Sequence, residues 1–418
     1  MSQSLAVTEQ QPQERKHSSL FRNHAFLFAW LSSLFTSFAT AIYLLSESWY
    51  VVNHLKMGAS LGLVLMATAI PRLLLMPIGG ILADRIRRTR ILFLSDCTRC
   101  GLLLIMVICF LLDVLTFKWL LVFALIYGVL DAFYWPASSS LIPVIVPKEQ
   151  LAQANSIIEM TRQAGYMGGP LLGALVLTVA SYDWLFGVIA LILLFGALWI
   201  LFIRDPQTRM GQEQENTSFL QDGKDVFLFA RQDSFLIALL LTVFIVSLLL
   251  TGPLSVAIPL FVEQNSGTAL HLSYLEISIA VGMLLGGLTI ASVKLKKKRA
   301  LLAWGCLSTF GGCVFSLGIA SQWTAAILAL LAGGVVLTMG NTLLVTLLQE
   351  RTPTDKIGRV MSLVTTATTG LVPLSHGMVT MFLNNGVALS SLLLIFGGLS
   401  FFFCLILMAT LKTIRTVD

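Results

Sequence analysis

The chain has 418 residues, 56% of them hydrophobic and only 11% charged, with a mean hydropathy of +0.87. A soluble domain averages about 25% charged residues, so this composition excludes one and marks an integral membrane protein built from helices, not from a barrel. The net charge of +6 is no sign of nucleic-acid binding, because its meaning depends on where the basic residues sit.

In chain order, residues 1–22 are polar, carry no signal-type apolar run and read as a cytoplasmic, disordered N-terminal tail. Residues 23–203 hold six apolar segments of spanning length, and residues 234–411 hold six more. Between them lies the one long polar interruption, a cytoplasmic central loop at residues 204–233. There Phe219, Val226, Phe227 and Ala230 are spaced for a short amphipathic helix on the membrane surface; a disordered linker fits residues 206–217 equally well. Residues 412–418 form a cytoplasmic C-terminal tail.

Two features organise these segments. Gly79-Gly80 before a basic hinge recurs as Gly286-Gly287, an offset of 207, and Pro147 with Ser156 recurs as Pro353 with Ser362, an offset of 206. Nearly equal offsets point to duplication, so the expected fold is all-α, with twelve transmembrane helices in two six-helix pseudo-repeat bundles around a central site. The second feature is charge placement. Of 27 lysines and arginines, 22 fall on the side of the termini, only Lys56 and Lys118 fall opposite, and Arg72, Arg99 and Arg162 lie inside spans. That asymmetry puts both termini in the cytoplasm.

The six cysteines all fall inside spans, as small packing residues, and Cys97-x-x-Cys100 lacks the second ligand pair a metal needs. No phosphate-cradling loop, zinc-type helix or nucleophile elbow is present. No metal, cofactor or enzymatic chemistry is expected.

Charges inside spans are costly and face a partner or a wet cavity. Arg72 stands twelve residues before Asp84, and Asp131 twelve before Pro143. At 1.5 Å per residue both lie roughly 18 Å deep, in the same half. They are expected to face each other or one cavity, either as a fixed ion pair or with Asp131 exchanging protons. Glu47, in the first span, is the second candidate for proton coupling. Asp96 with Arg99, and Glu159 with Arg162, have i,i+3 spacing and read as a cytoplasmic latch with Asp84 and the hinge arginines. Gly165, Gly169, Pro170 and Gly173 in the fifth span form a face that can pack closely or hinge, ordinary small-residue packing being the plain alternative. Phe133, Tyr134 and Trp135 beside Asp131 either line a cavity or face lipid.

Gly80-x-Leu82-Ala83-Asp84-Arg85-x-x-Arg88 resembles the signature loop between helices 2 and 3 of the major facilitator superfamily. Pro136-Ala137, Leu141-Ile142-Pro143 and Ala154-Asn155-Ser156 resemble the branch of the enterobactin exporter and the macrolide efflux proteins, and Gly165 to Gly173 is similar to the antiporter motif of drug–proton exporters. The resemblance implies that Gly80, Asp84, Arg85 and Arg88 form a cytoplasmic gate against the start of span eleven, near Gly358-Arg359. It also implies that Gly169-Pro170 sets transport direction. Where those antiporters carry an arginine four residues before a glycine in span four, this chain has Ala124 before Gly128.

The expected function is proton-coupled export of an amphipathic or hydrophobic small molecule of drug, macrolide or siderophore type. The energy source is the proton gradient, and the setting is a monomer in a bacterial plasma membrane with the lipid bilayer as its other partner. Import, lipid movement by the same fold, and a non-transporting scaffold or receptor are the alternatives.

Overall fold

The computed structural model describes residues 20–203, 234–293, 298–353 and 357–410. The expected central loop with its surface helix, most of both tails and the basic run 294–297 lie outside the described residues. So do the side chains of Gly358, Arg359 and Ser362.

Twelve long helices are described. The first half holds α1 (His24–Trp49, running on through a π-helical turn, Tyr50–His54), α2 (Leu61–Arg85), α3 (Arg88–Leu111), α4 (Phe117–Ile145), α5 (Leu151–Val179) and α6 (Tyr182–Leu201). The second holds α7 (Ser234–Val246, a π-helical turn Ser247–Thr251, then Gly252–Gln264), α8 (Ala269–Ser292), α9 (Arg299–Ile319), α10 (Trp323–Arg351), α11 (Ile357–Gly370 and Val372–Asn384) and α12 (Leu389–Thr410). The side carrying the α2–α3 turn is called the hinge side below, and the opposite one the far side.

Local chemistry sets the ends. The Asn23 carboxamide oxygen accepts from the Ala25 and Phe26 amides and caps α1, while its Nδ2 donates to Ile145 O at 2.7 Å, tying the start of α1 to the end of α4. Ile86 is extended, so α2 stops and α3 restarts two residues later. Ten of the twelve helices are long and apolar enough to cross a membrane on those grounds alone. The other two are α5, which carries Glu159 and Arg162, and α11, which breaks at Leu371. They occupy the same position in each half.

Packing repeats between the halves. The close pairs α1–α5, α2–α4, α3–α4 and α3–α6 are matched by α7–α11, α8–α10, α9–α10 and α9–α12. Glycines make the tightest crossing in both. A Cβ on Gly79 or Gly128 would sit 2.2 Å from Ala132 O or 2.1 Å from Thr68 O, across α2 and α4. A Cβ on Gly286 or Gly334 would meet Val335 O at 2.4 Å or Ile279 O at 2.2 Å, across α8 and α10. Only glycine permits such backbone approach. The offsets of 207 and 206 read from sequence are the offsets of these crossings.

The halves meet through α2–α11 and α5–α8. At the far side the contact is tight: a Cβ on Gly62 would lie 2.4 Å from His376 O and 2.3 Å from Thr380 Oγ1, and Lys56 pairs with Glu263 at 3.4 Å. On the hinge-side piece of α11, by contrast, Thr365, Thr366, Thr368 and Thr369 are exposed. The two halves thus pack closely at the far side.

Candidate functional site

The first half encloses a cluster of charge. Asp131 on α4 is buried, and its Oδ1 accepts from Arg99 of α3 at 2.5 Å. Arg72 of α2 approaches the other oxygen at 3.8 Å. Arg99 also donates to Asp96 Oδ1 at 3.2 Å, one helical turn back, and Thr36 of α1 donates to Asp96 Oδ2 at 2.9 Å. The Arg99 guanidinium lies over Tyr127 and Tyr134, 4.9 and 4.7 Å from the ring centres, so two aromatic faces also hold it. Four helices thus contribute to one charged cluster.

A polar cavity of about 90 Å³ opens at this cluster, with Ser37, Thr68, Arg72, Asp131, Trp135 and Tyr166 among its walls. Arg72 is the accessible member, its side chain 47% exposed against 1% for Arg99. Lower on the same wall, Arg162 pairs with Glu159 and stacks on Trp135 at 4.9 Å.

The expected site residues sort as follows. Arg72 and Asp131 line one cavity. Asp96 and Arg99 pair with each other, but the further partner of Arg99 is Asp131 on α4, and that of Asp96 is Thr36 on α1, not the hinge. The expected latch therefore divides, and only Glu159 and Arg162 stay near the hinge side, paired with each other. Asp84 and Arg85 are exposed, and Arg88 Nε donates to Ser140 Oγ on α4 at 3.2 Å. The contact implied between this loop and Gly358-Arg359 involves side chains outside the described residues. Gly80 has open space where a Cβ would stand. Gly165, Gly169 and Gly173 all face α1, where added Cβ atoms would meet Ser37 at 2.8 Å, Ala41 at 2.6 Å and Ile42 at 3.0 Å, and Pro170 is buried among them. Glu47 is fully buried on α1, with Tyr43 donating to its Oε1 at 2.7 Å and no protein partner at Oε2. Tyr43 stacks on Tyr127 at 4.3 Å, which links Glu47 to the Arg99 cluster through two rings.

Sequence reasoning paired Arg99 with Asp96, as found, but missed its second carboxylate, Asp131, and passed over Thr36, Tyr43 and Tyr127. The Arg99 guanidinium lies over Tyr127, three residues past Ala124 on α4. Among the described residues no group of histidine, cysteine or acidic side chains could hold a metal.

A family model described as Major Facilitator Superfamily matches residues 29–375. Among curated proteins, macrolide efflux protein A of Streptococcus pyogenes is 24% identical over 347 residues, 81% of this chain and 84% of that protein. The enterobactin exporter EntS of Shigella dysenteriae serotype 1 is 26% identical over 293 residues, 68% of each chain. Among solved structures, a nucleoside transporter, NupG, superposes with a TM-score of 0.73 at 16% identity, covering 93% of this chain and all of that one. A D-xylose–proton symporter gives 0.71 at 14% identity, covering 95% and 99%. Twelve helices in two matched bundles, a charged centre and the matched family model converge: the chain belongs to the Major Facilitator Superfamily and is a multi-pass membrane transporter, not an enzyme.

Proposed function

We propose that this transporter is a proton-coupled exporter of amphipathic or hydrophobic small molecules, of drug, macrolide or siderophore type. It works by alternating access between the bundles at residues 23–203 and 234–411. The proposed orientation puts the hinge side, which holds most of the basic residues, in the cytoplasm of a bacterial cell.

The observation that carries the coupling is the sharing of Asp131 between two arginines, 2.5 and 3.8 Å away. Arg99 faces two carboxylates, Asp96 and Asp131, and can balance one. The second needs Arg72 or a proton, because an unpaired charge inside the bilayer is costly. A substrate seated against the paired Arg72 and Asp131 keeps the carboxylate ionised; once it has left, a proton takes its place on Asp131 and frees Arg72, so substrate and proton occupy the site in turn and travel in opposite directions. Binding and protonation are thereby linked through one side chain. The macrolide and enterobactin exporters among the relatives support the export direction. The half-exposed Arg72 and the Arg162–Trp135 stack favour a substrate with aromatic surface and partial negative charge. The cavity of about 90 Å³ is below the ~300–1,000 Å³ of drug-sized sites, so the second half must supply the rest of the wall.

Proteoliposomes with an imposed pH gradient test this, using a macrolide, a cationic dye and a catecholate as probes. The parent protein moves at least one probe in a protonophore-sensitive way. Asp131→Asn loses the dependence on the gradient, and Arg72→Gln lowers transport at least tenfold with the fold intact. Undiminished gradient-driven transport by Asp131→Asn removes that residue from coupling. No movement of any probe under any gradient removes the substrate class.

A further inference from the structure

A second pocket, unconnected with the central cluster, opens on the hinge side between the α2–α3 turn and the end of α6. It holds about 640 Å³ and is lined by Arg85, Arg87, Arg90 and Thr89 on one side and by Phe93, Ile200, Leu201 and Ile203 on the other. The three arginines are exposed and make no ion pair among the described residues. The pocket lies at the start of α3, which begins at Arg88. Ile86, Leu201 and Phe202 continue the lining outward as bare apolar surface, 38%, 58% and 64% exposed.

We propose that this pocket is a binding site for the headgroup of an anionic phospholipid. Two observations select a lipid over a free anion. Three unpaired guanidinium groups beside a helix start suit a phosphodiester, which accepts bidentate hydrogen bonds. The apolar shelf leading away from them suits acyl chains, which inorganic phosphate does not have. The placement fits as well, since a basic pocket between helices at the membrane boundary is where anionic headgroups lodge. The occupant would bridge α3 and α6, which pack along each other, and would brace the turn that carries Asp84.

The test uses the full chain, purified in mild detergent and incubated with phosphatidylglycerol or phosphatidylcholine, with retained lipid counted by native mass spectrometry. The parent retains phosphatidylglycerol in preference to phosphatidylcholine, and excess inorganic phosphate does not displace it. Arg87→Gln with Arg90→Gln lowers phosphatidylglycerol retention about 25-fold, about fivefold per arginine. Leu201→Gln lowers it without changing the charge. Arg87→Lys with Arg90→Lys keeps most of it, which separates lost binding from lost folding. Equal retention of both lipids by the parent, equal retention by the glutamine and lysine pairs, or displacement by phosphate alone overturns the proposal.

Discussion

The two halves share a backbone plan and differ in what fills it. In the first, α2, α3 and α4 bring Arg72, Asp96, Arg99 and Asp131 into one cluster. In the second, the repeat offset places Ile279 and Leu337 where Arg72 and Asp131 stand, and α9 has no charged residue after Arg299. Even the hydrogen bonds diverge. Thr36 donates to the Asp96 carboxylate, whereas its counterpart Thr242 accepts from the buried Trp304 indole at 2.8 Å. The second half's pair of Arg299 with Glu350 lies at the hinge-side ends of α9 and α10, so a duplicated bundle does not need ions at its centre. Nor is a buried ion pair better for stability than apolar residues of similar volume. Under the proposed coupling, the cost of the first half's cluster is offset by its role in moving a proton.

The contrast can be broken most severely at Arg99. Arg99→Met leaves Asp96 and Asp131 buried without their cation, and should cost ~3–5 kcal/mol, read as a large fall in thermal midpoint. Replacing Asp96, Arg99 and Asp131 together by apolar residues should restore most of that stability and leave transport abolished. A triple variant as unstable as Arg99→Met would mean that the first half needs its charges in order to fold. A smaller effect, equal in both halves, is expected at the glycine crossings. Gly128→Ala and Gly334→Ala each force a methyl to about 2 Å from a backbone oxygen, and should destabilise by ~1–3 kcal/mol. Unequal losses would show that the two crossings are not equivalent. The smallest effect separates the threonines. Thr36→Val, which removes a donor to a carboxylate, should cost ~1.5–3 kcal/mol, and Thr242→Val ~0.5–1.5 kcal/mol, as measured by denaturation.

Much of this architecture was legible in the residues. Spanning lengths, the Gly79/Gly286 offset and the Asp84 loop each depend on local composition or periodicity, and those survive without coordinates. The pairing of Arg72 with Asp131 came from depth alone, because two helices of known polarity put equal counts at equal depth. Arg99 was not legible in this way. Its i,i+3 neighbour Asp96 offered a sufficient local partner, and only the approach of α3 to α4 shows that the guanidinium has a second one. The aromatic faces of Tyr127 and Tyr134 were hidden for the same reason: which side of a uniformly apolar helix looks inward is decided by its neighbours. The break in α11 was signalled by Gly370 and Pro373, on either side of Leu371.

The far-side crossing at Gly62 has a further bearing on how the molecule moves. Thr380 Oγ1 and His376 Nδ1 are sealed there with no protein partner. Parting the two bundles at that end would break the Lys56–Glu263 bolt and bring both atoms to the surface, so every opening of this door reaches a histidine that also contacts Ser255 of α7.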